Sequence, residues 1–121
     1  MNFIAVFIGG GIGSIMRYGI ALWLKPYQTQ FPYATLSANI ISCIILGLLL
    51  VLGQKNFFSS NTYLLLATGV CGGFSTFSTF TTETYLLFEN GQLTLALLNI
   101  LVSLIVCLGA IFIGMKLGNW I

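Results

Sequence analysis

The sequence predicts an all-α membrane protein with four transmembrane helices per subunit, assembled as an antiparallel, dual-topology homodimer. Charge is the first observation behind that expectation. Of 121 residues, 58% are hydrophobic and only 5% are charged, whereas a soluble domain carries roughly 25% charged residues. Mean hydropathy is +1.04. So few charges cannot cover a surface facing water, and with no basic arm or linker in the chain nucleic acid is not an expected partner. The second observation is four apolar stretches, each near the ~20 residues that span a bilayer, separated by short polar breaks. The third is the balance of cations. Four spans put both termini on one side, with Lys55 and Lys116, while Arg17 and Lys25 lie toward the other. An excess of Lys and Arg normally sets orientation, so an even tally predicts insertion both ways up.

The chain reads as a single transmembrane domain over residues 1–121. Residues 3–24 form the first span. No basic region precedes them and the run is long enough to cross, so a retained helix is expected and not a cleaved signal. "KPYQTQFP" at 25–32 ends it with charge, polar residues and two prolines. Residues 33–53 form the second span, and "GQKNFFSSN" at 53–61 the next loop. Residues 62–88 form the third. "ENGQ" at 89–92 is a turn with Asn-Gly at its centre, and residues 93–115 form the fourth span.

Within this apolar frame the polar residues fall in stripes. Thr35, Asn39 and Ser42 share one face of the second helix. Asn99, Ser103, Cys107 and Gly114 share one face of the fourth, and Thr79 and Glu83 lie one turn apart in the third. Polar residues inside a membrane are functional candidates, and for a single Ser or Thr the plainer role is interhelical hydrogen bonding. Three stripes on three helices suit a pathway. In the third span Gly69, Gly72 and Gly73 precede a run in which Ser or Thr alternates with Phe. Two structures fit: an unbroken helix whose glycines permit close packing, or a helix broken near 72–76, with Ser75 or Thr76 capping a new half near Phe77 and the broken ends holding ions. The hydroxyls favour the second. Phe77 and Phe80 lie on one helical face, and aromatic rings carry a positive edge, which suits a small anion; core packing is the competing role. Gly9 and Gly13 suit tight helix packing. Arg17 is either a structural anchor or a source of positive potential in an aqueous vestibule. Cys43, Cys71 and Cys107 form no CxxC pair and read as small packing residues, with no redox or metal role.

Taken together, "GGGIGSIMRY" at 9–18, "PYATLSANIISCIILG" at 32–47 and "GVCGGFSTFSTFTTE" at 69–83 resemble the Fluc/CrcB family of fluoride channels. The resemblance covers all four spans. It implies no enzymatic activity but passive, fluoride-selective export through two pores of a dual-topology homodimer, in the lipid bilayer of a bacterial inner membrane. It implies an anion path along Asn39, Phe77, Ser78, Thr79, Phe80, Thr81 and Ser103. It further implies a structural sodium ion at the dimer interface, held by backbone carbonyls of Gly72 and Ser75 from each subunit. Arg17 matches a vestibule charge and Glu83 the family's intramembrane acid. The chain departs from the family pattern at Asn99, where Tyr is common, and at Cys107, where a hydroxyl is common. A small multidrug-type, proton-coupled exporter is the main alternative, but it needs a carboxylate in the first helix, and residues 1–24 hold none. A non-transporting assembly subunit is the third reading.

Overall fold

A computed structural model describes residues 2–27 and 29–121; Gln28, in the polar break after the first span, lies outside them. Among the described residues every regular element is helical. Helix α1, Asn2–Leu24, ends in one 3-10 turn, Lys25–Tyr27, and α2 covers Tyr33–Gln54. Helix α3, Ser60–Tyr63, continues into a π-helical segment, Leu64–Cys71, and then α4, Gly72–Phe74; α5 is Phe77–Glu89 and α6 is Leu93–Trp120. Four helical runs are long and apolar enough to cross a membrane: Asn2–Tyr27, Tyr33–Gln54, Ser60–Glu89 and Leu93–Trp120.

The ends follow from local chemistry. Ser59 caps α3 by accepting from the amide of Thr62 at 3.3 Å. Helix α5 closes at the Asn-Gly turn, where Gly91 has φ +73°. The amides of Gly91 and Gln92 then turn back onto the carbonyls of Phe88 and Leu87, satisfying acceptors that the helix leaves open.

Two seams of small residues join the spans in parallel pairs. In the first, α1 lies against the third span. A Cβ placed on Gly9 would stand 2.2 Å from the Leu65 carbonyl oxygen, and one on Gly13 2.1 Å from that of Val70. In the second, α2 and α6 form the most extensively packed helix pair. There a Cβ on Gly47 would meet the Ile111 oxygen at 2.3 Å, and one on Gly114 the Ile44 oxygen at 2.1 Å. Small side chains let backbones approach where lipid removes the hydrophobic drive for helix association. Between the seams, α2 and the third span are linked by hydrogen bonds. Outward-facing residues such as Phe3, Phe7, Ile15, Ile105 and Leu108 are exposed and apolar.

Within the third span two residues are not helical. Ser75 has φ −76°, ψ 157° and Thr76 has φ −151°, ψ 118°, both extended. Gly72 stays in the α region at φ −65°, ψ −37°.

Candidate functional site

The two extended residues are held by α2. Asn39 offers its amide to Thr76 as a second peptide group would. Its Oδ1 accepts from the Thr76 amide at 2.8 Å, and its Nδ2 donates to the Thr76 carbonyl at 3.4 Å. Thr76 then caps α5: its Oγ1 accepts from the Thr79 amide at 3.2 Å, donates to Thr79 Oγ1 at 3.0 Å and lies 3.2 Å from Ser78 Oγ. The neighbours of Asn39 on its stripe are spent on the same span. Ser42 Oγ donates to the Cys71 carbonyl at 3.0 Å and Thr35 Oγ1 to Glu83 Oε1 at 2.8 Å.

These bonds redirect the backbone amides. In an α-helix the amide of residue i+4 serves the carbonyl of residue i. For Gly72 that amide belongs to Thr76, and it points to Asn39. For Ser75 it belongs to Thr79, and it points to Thr76 Oγ1. For Gly73 it belongs to Phe77, and the Gly73 carbonyl accepts from Arg17 Nε at 3.2 Å. This bond links Arg17 on α1 to the backbone of α4. The Gly72 and Ser75 carbonyls thus both lose their regular donors.

A cleft of about 330 Å³ opens beside these residues, lined by Asn39, Ser75, Thr76, Phe77, Phe80 and Ser103 together with Cys43, Cys107 and apolar residues of α6. No carboxylate lines it. A second cleft, about 480 Å³, takes Phe77, Phe80, Thr81 and Thr84 into its wall. The two rings therefore stand between the clefts, with centroids 5.7 Å apart and planes inclined at 39°. Phe77 is 78% exposed.

Of the residues singled out from sequence, Asn39, Ser75, Phe77, Phe80 and Ser103 meet at the first cleft. Thr81 joins Phe77 and Phe80 at the second, its hydroxyl donating to the Phe77 carbonyl at 2.9 Å. Ser78 and Thr79 line neither. Gly72 is exposed and lines neither cleft. Glu83 lies apart, on a third cleft of about 450 Å³ with Gln30, Asn90 and Gln92; its Oε2 is buried without a partner among the described residues. Cys43 and Cys107 are cleft-lining residues that sequence reasoning assigned to packing. Cys107 lies one turn beyond Ser103 on the stripe already read from the sequence.

The family model described as "CrcB-like protein, Camphor Resistance (CrcB)" matches residues 4–115. The chain is 41% identical over 113 residues to a "Fluoride-specific ion channel FluC" of Parabacteroides distasonis, covering 93% of this chain and 88% of that protein. A protein of the same description from Elusimicrobium minutum is 42% identical over 119 residues, covering 95% and 91%. A third, from Agrobacterium fabrum, is 41% identical over 121 residues, covering 98% and 97%.

Proposed function

The chain belongs to the CrcB-like family, a multi-pass membrane family, and from that premise we propose that it is a fluoride channel of the bacterial inner membrane. The carrying observation is the cleft itself. It sits within membrane-spanning helices, has amide and hydroxyl groups beside two aromatic rings, and has no carboxylate in its wall. Asn39 Nδ2 has two protons and spends one on Thr76, which leaves the other for an anion. Ring edges of Phe77 and Phe80 add positive potential without fixed charge. Hydroxyls such as Thr81 donate to backbone carbonyls one turn back and exchange that bond for fluoride as its water is stripped. Transport is passive and outward. An inside-negative potential of about 100 mV favours export of a monovalent anion by about 2.3 kcal/mol.

The working unit is an antiparallel homodimer with two pores and the third helix broken at mid-membrane. The even Lys/Arg tally supports the two orientations. Exposed Phe77, Ser78, Thr81 and Thr82 on one face of α5 support a second copy as the cover that completes each path. At the dimer axis the Gly72 and Ser75 carbonyls of both subunits would hold a sodium ion. Their diverted amides support this, since a hard cation takes oxygen ligands and broken helix ends supply them. A cation held there would supply a fixed positive charge.

The test is flux from liposomes carrying the purified protein. Fluoride leaves rapidly under an electrical driving force and chloride negligibly. Comparable chloride release, or fluoride efflux that requires a proton gradient, rejects the reading.

A further inference from the structure

Behind the first cleft runs a hydrogen-bonded chain whose middle members, Thr84 and Asn99, are not part of the proposed anion path. Thr84, Asn99 and Ser103 are 6%, 1% and 8% exposed. Thr84 Oγ1 lies 2.7 Å from the Phe80 carbonyl, Asn99 Nδ2 lies 2.8 Å from Thr84 Oγ1, and Ser103 Oγ lies 3.4 Å from Asn99 Oδ1. The direction of every bond follows from one end. A carbonyl only accepts, so the single proton of Thr84 is committed to Phe80. Thr84 Oγ1 must then accept from Asn99, which turns the amide nitrogen toward it. The amide oxygen is left facing Ser103, whose hydroxyl donates. The reversed amide would set Asn99 Oδ1 against a hydroxyl with no proton to give, two acceptors facing in a buried site, which is costly.

The two ends of this chain, Phe80 and Ser103, both line the first cleft; Asn99 lines neither the first nor the second. We infer that Asn99 is a positioning residue for the anion path, tying the Phe80 backbone on α5 to the Ser103 hydroxyl on α6 through Thr84. The inference rests on the channel reading for its functional consequence. It gives a role to the departure at Asn99. An amide that both donates and accepts spans from Thr84 to Ser103, which a residue with a single polar atom does less completely. It also fixes how Ser103 meets an anion. Its proton is directed at Asn99 by a long bond, and turning it into the cleft breaks only that bond.

The experiment uses the full-length chain in liposomes and in detergent. Asn99→Leu keeps the side-chain size and removes both bonds. Thr84→Val removes the hydroxyl alone and reads the same link if Asn99→Leu fails to fold. Each variant is expected to cut fluoride efflux about tenfold or more at equal amounts of folded protein, as loss of a buried hydrogen bond misplaces the groups it held. Thr84→Ser, which retains the hydroxyl, is expected to keep flux near wild type. The double variant should be no worse than the more damaged single one, because one chain is cut twice. Position is read independently by incorporating 4-fluorophenylalanine and following the fluorine resonance of residue 80, assigned by its disappearance in Phe80→Met. That resonance is expected to shift or broaden in Asn99→Leu and Thr84→Val and to stay in Thr84→Ser. Folded Asn99→Leu or Thr84→Val with wild-type flux, or an unmoved residue 80 resonance, overturns the inference and leaves the three side chains as interhelical bonding alone. A wild-type protein that passes no fluoride strikes the channel reading instead, while the resonance still decides the positioning claim.

Discussion

Four glycines in "GGGIG" at 9–13 look equivalent in sequence and are not equivalent in space. A Cβ on Gly13 would lie 2.1 Å from the Val70 oxygen and 2.7 Å from the Phe74 nitrogen, whereas one on Gly11 would meet nothing within 4 Å. The obstacles at Gly13 are backbone atoms, so no rotamer change relieves them, and Phe74 beneath is 1% exposed. Helix α1 must retreat by more than about 1 Å to restore ordinary contact, and overpacking of this kind costs ~1–3 kcal/mol. The retreat also opens the neighbouring approaches of Gly9 to Gly69 and of Gly10 to Gly73. Gly11→Ala instead removes a flexible residue from a helix interior, a gain of ~0.5–1 kcal/mol. Gly13→Ala gains the same helix preference, so the expected gap between Gly13→Ala and Gly11→Ala is the overpacking cost itself, ~1–3 kcal/mol. Thermal unfolding of each purified variant in detergent, followed by the folded fraction on size exclusion, measures it. Gly13→Ala as stable as Gly11→Ala would refute the close seam between α1 and the third span.

Four further outcomes follow from the geometry. Phe80→Ile should retain the dimer yet lose most fluoride flux, with Phe80→Met keeping more because its thioether is polarisable; wild-type flux in a dimeric Phe80→Ile protein removes Phe80 from the path. Asn39→Leu leaves the Thr76 amide and carbonyl unpaired and should cost about 2–4 kcal/mol of stability, read by the same unfolding assay; a loss below about 1 kcal/mol would contradict the Asn39–Thr76 pairing. Gly72→Ala meets open space and a helical backbone within one subunit, so it should leave subunit folding intact while weakening the dimer on size exclusion, and an unchanged dimer argues against close subunit contact there. A single cysteine at Asn61, in a chain lacking Cys43, Cys71 and Cys107, should label to about half from one side of the membrane if the even cation tally permits both orientations; complete labelling from one side shows a fixed topology.

How far the sequence is legible depends on what sets each feature. The four apolar spans are imposed by bilayer thickness and by the need to satisfy every backbone group internally, and both act on composition alone. The turn at Asn90–Gly91 is equally local, because glycine readily takes positive φ. The stripe of Thr35, Asn39 and Ser42 is legible as a shared face, since helical periodicity fixes it. What that face meets is not, because the partners Glu83, Thr76 and Cys71 follow from the antiparallel register of α2 against the third span. For the same reason Asn99 stands out in sequence as a departure, but its partner Thr84 emerges only when α5 and α6 are set side by side.

The third span shows why glycine content alone leaves helix and break undecided. A glycine tolerates either, and the choice falls to whatever else can serve the backbone. Gly69 and Gly73 sit at the approach of α1, where a Cβ would stand 2.8 Å from Gly9 Cα or 2.3 Å from the Gly10 oxygen. Their small size is used for contact. The residues that leave helical geometry are Ser75 and Thr76, both with side chains. Departing from a helix inside a membrane strands amides and carbonyls unless substitutes are at hand. Here they are: Asn39 takes both backbone groups of Thr76, Thr76 Oγ1 takes the Thr79 amide, and Arg17 serves the Gly73 carbonyl. The non-helical residues are thus placed by donors and acceptors on two other helices as much as by their own sequence. It follows that changing Asn39 should disturb Ser75 and Thr76 more than changing any of the three glycines' φ preferences would, since Gly72 and Gly73 already lie in a helix that ordinary residues adopt.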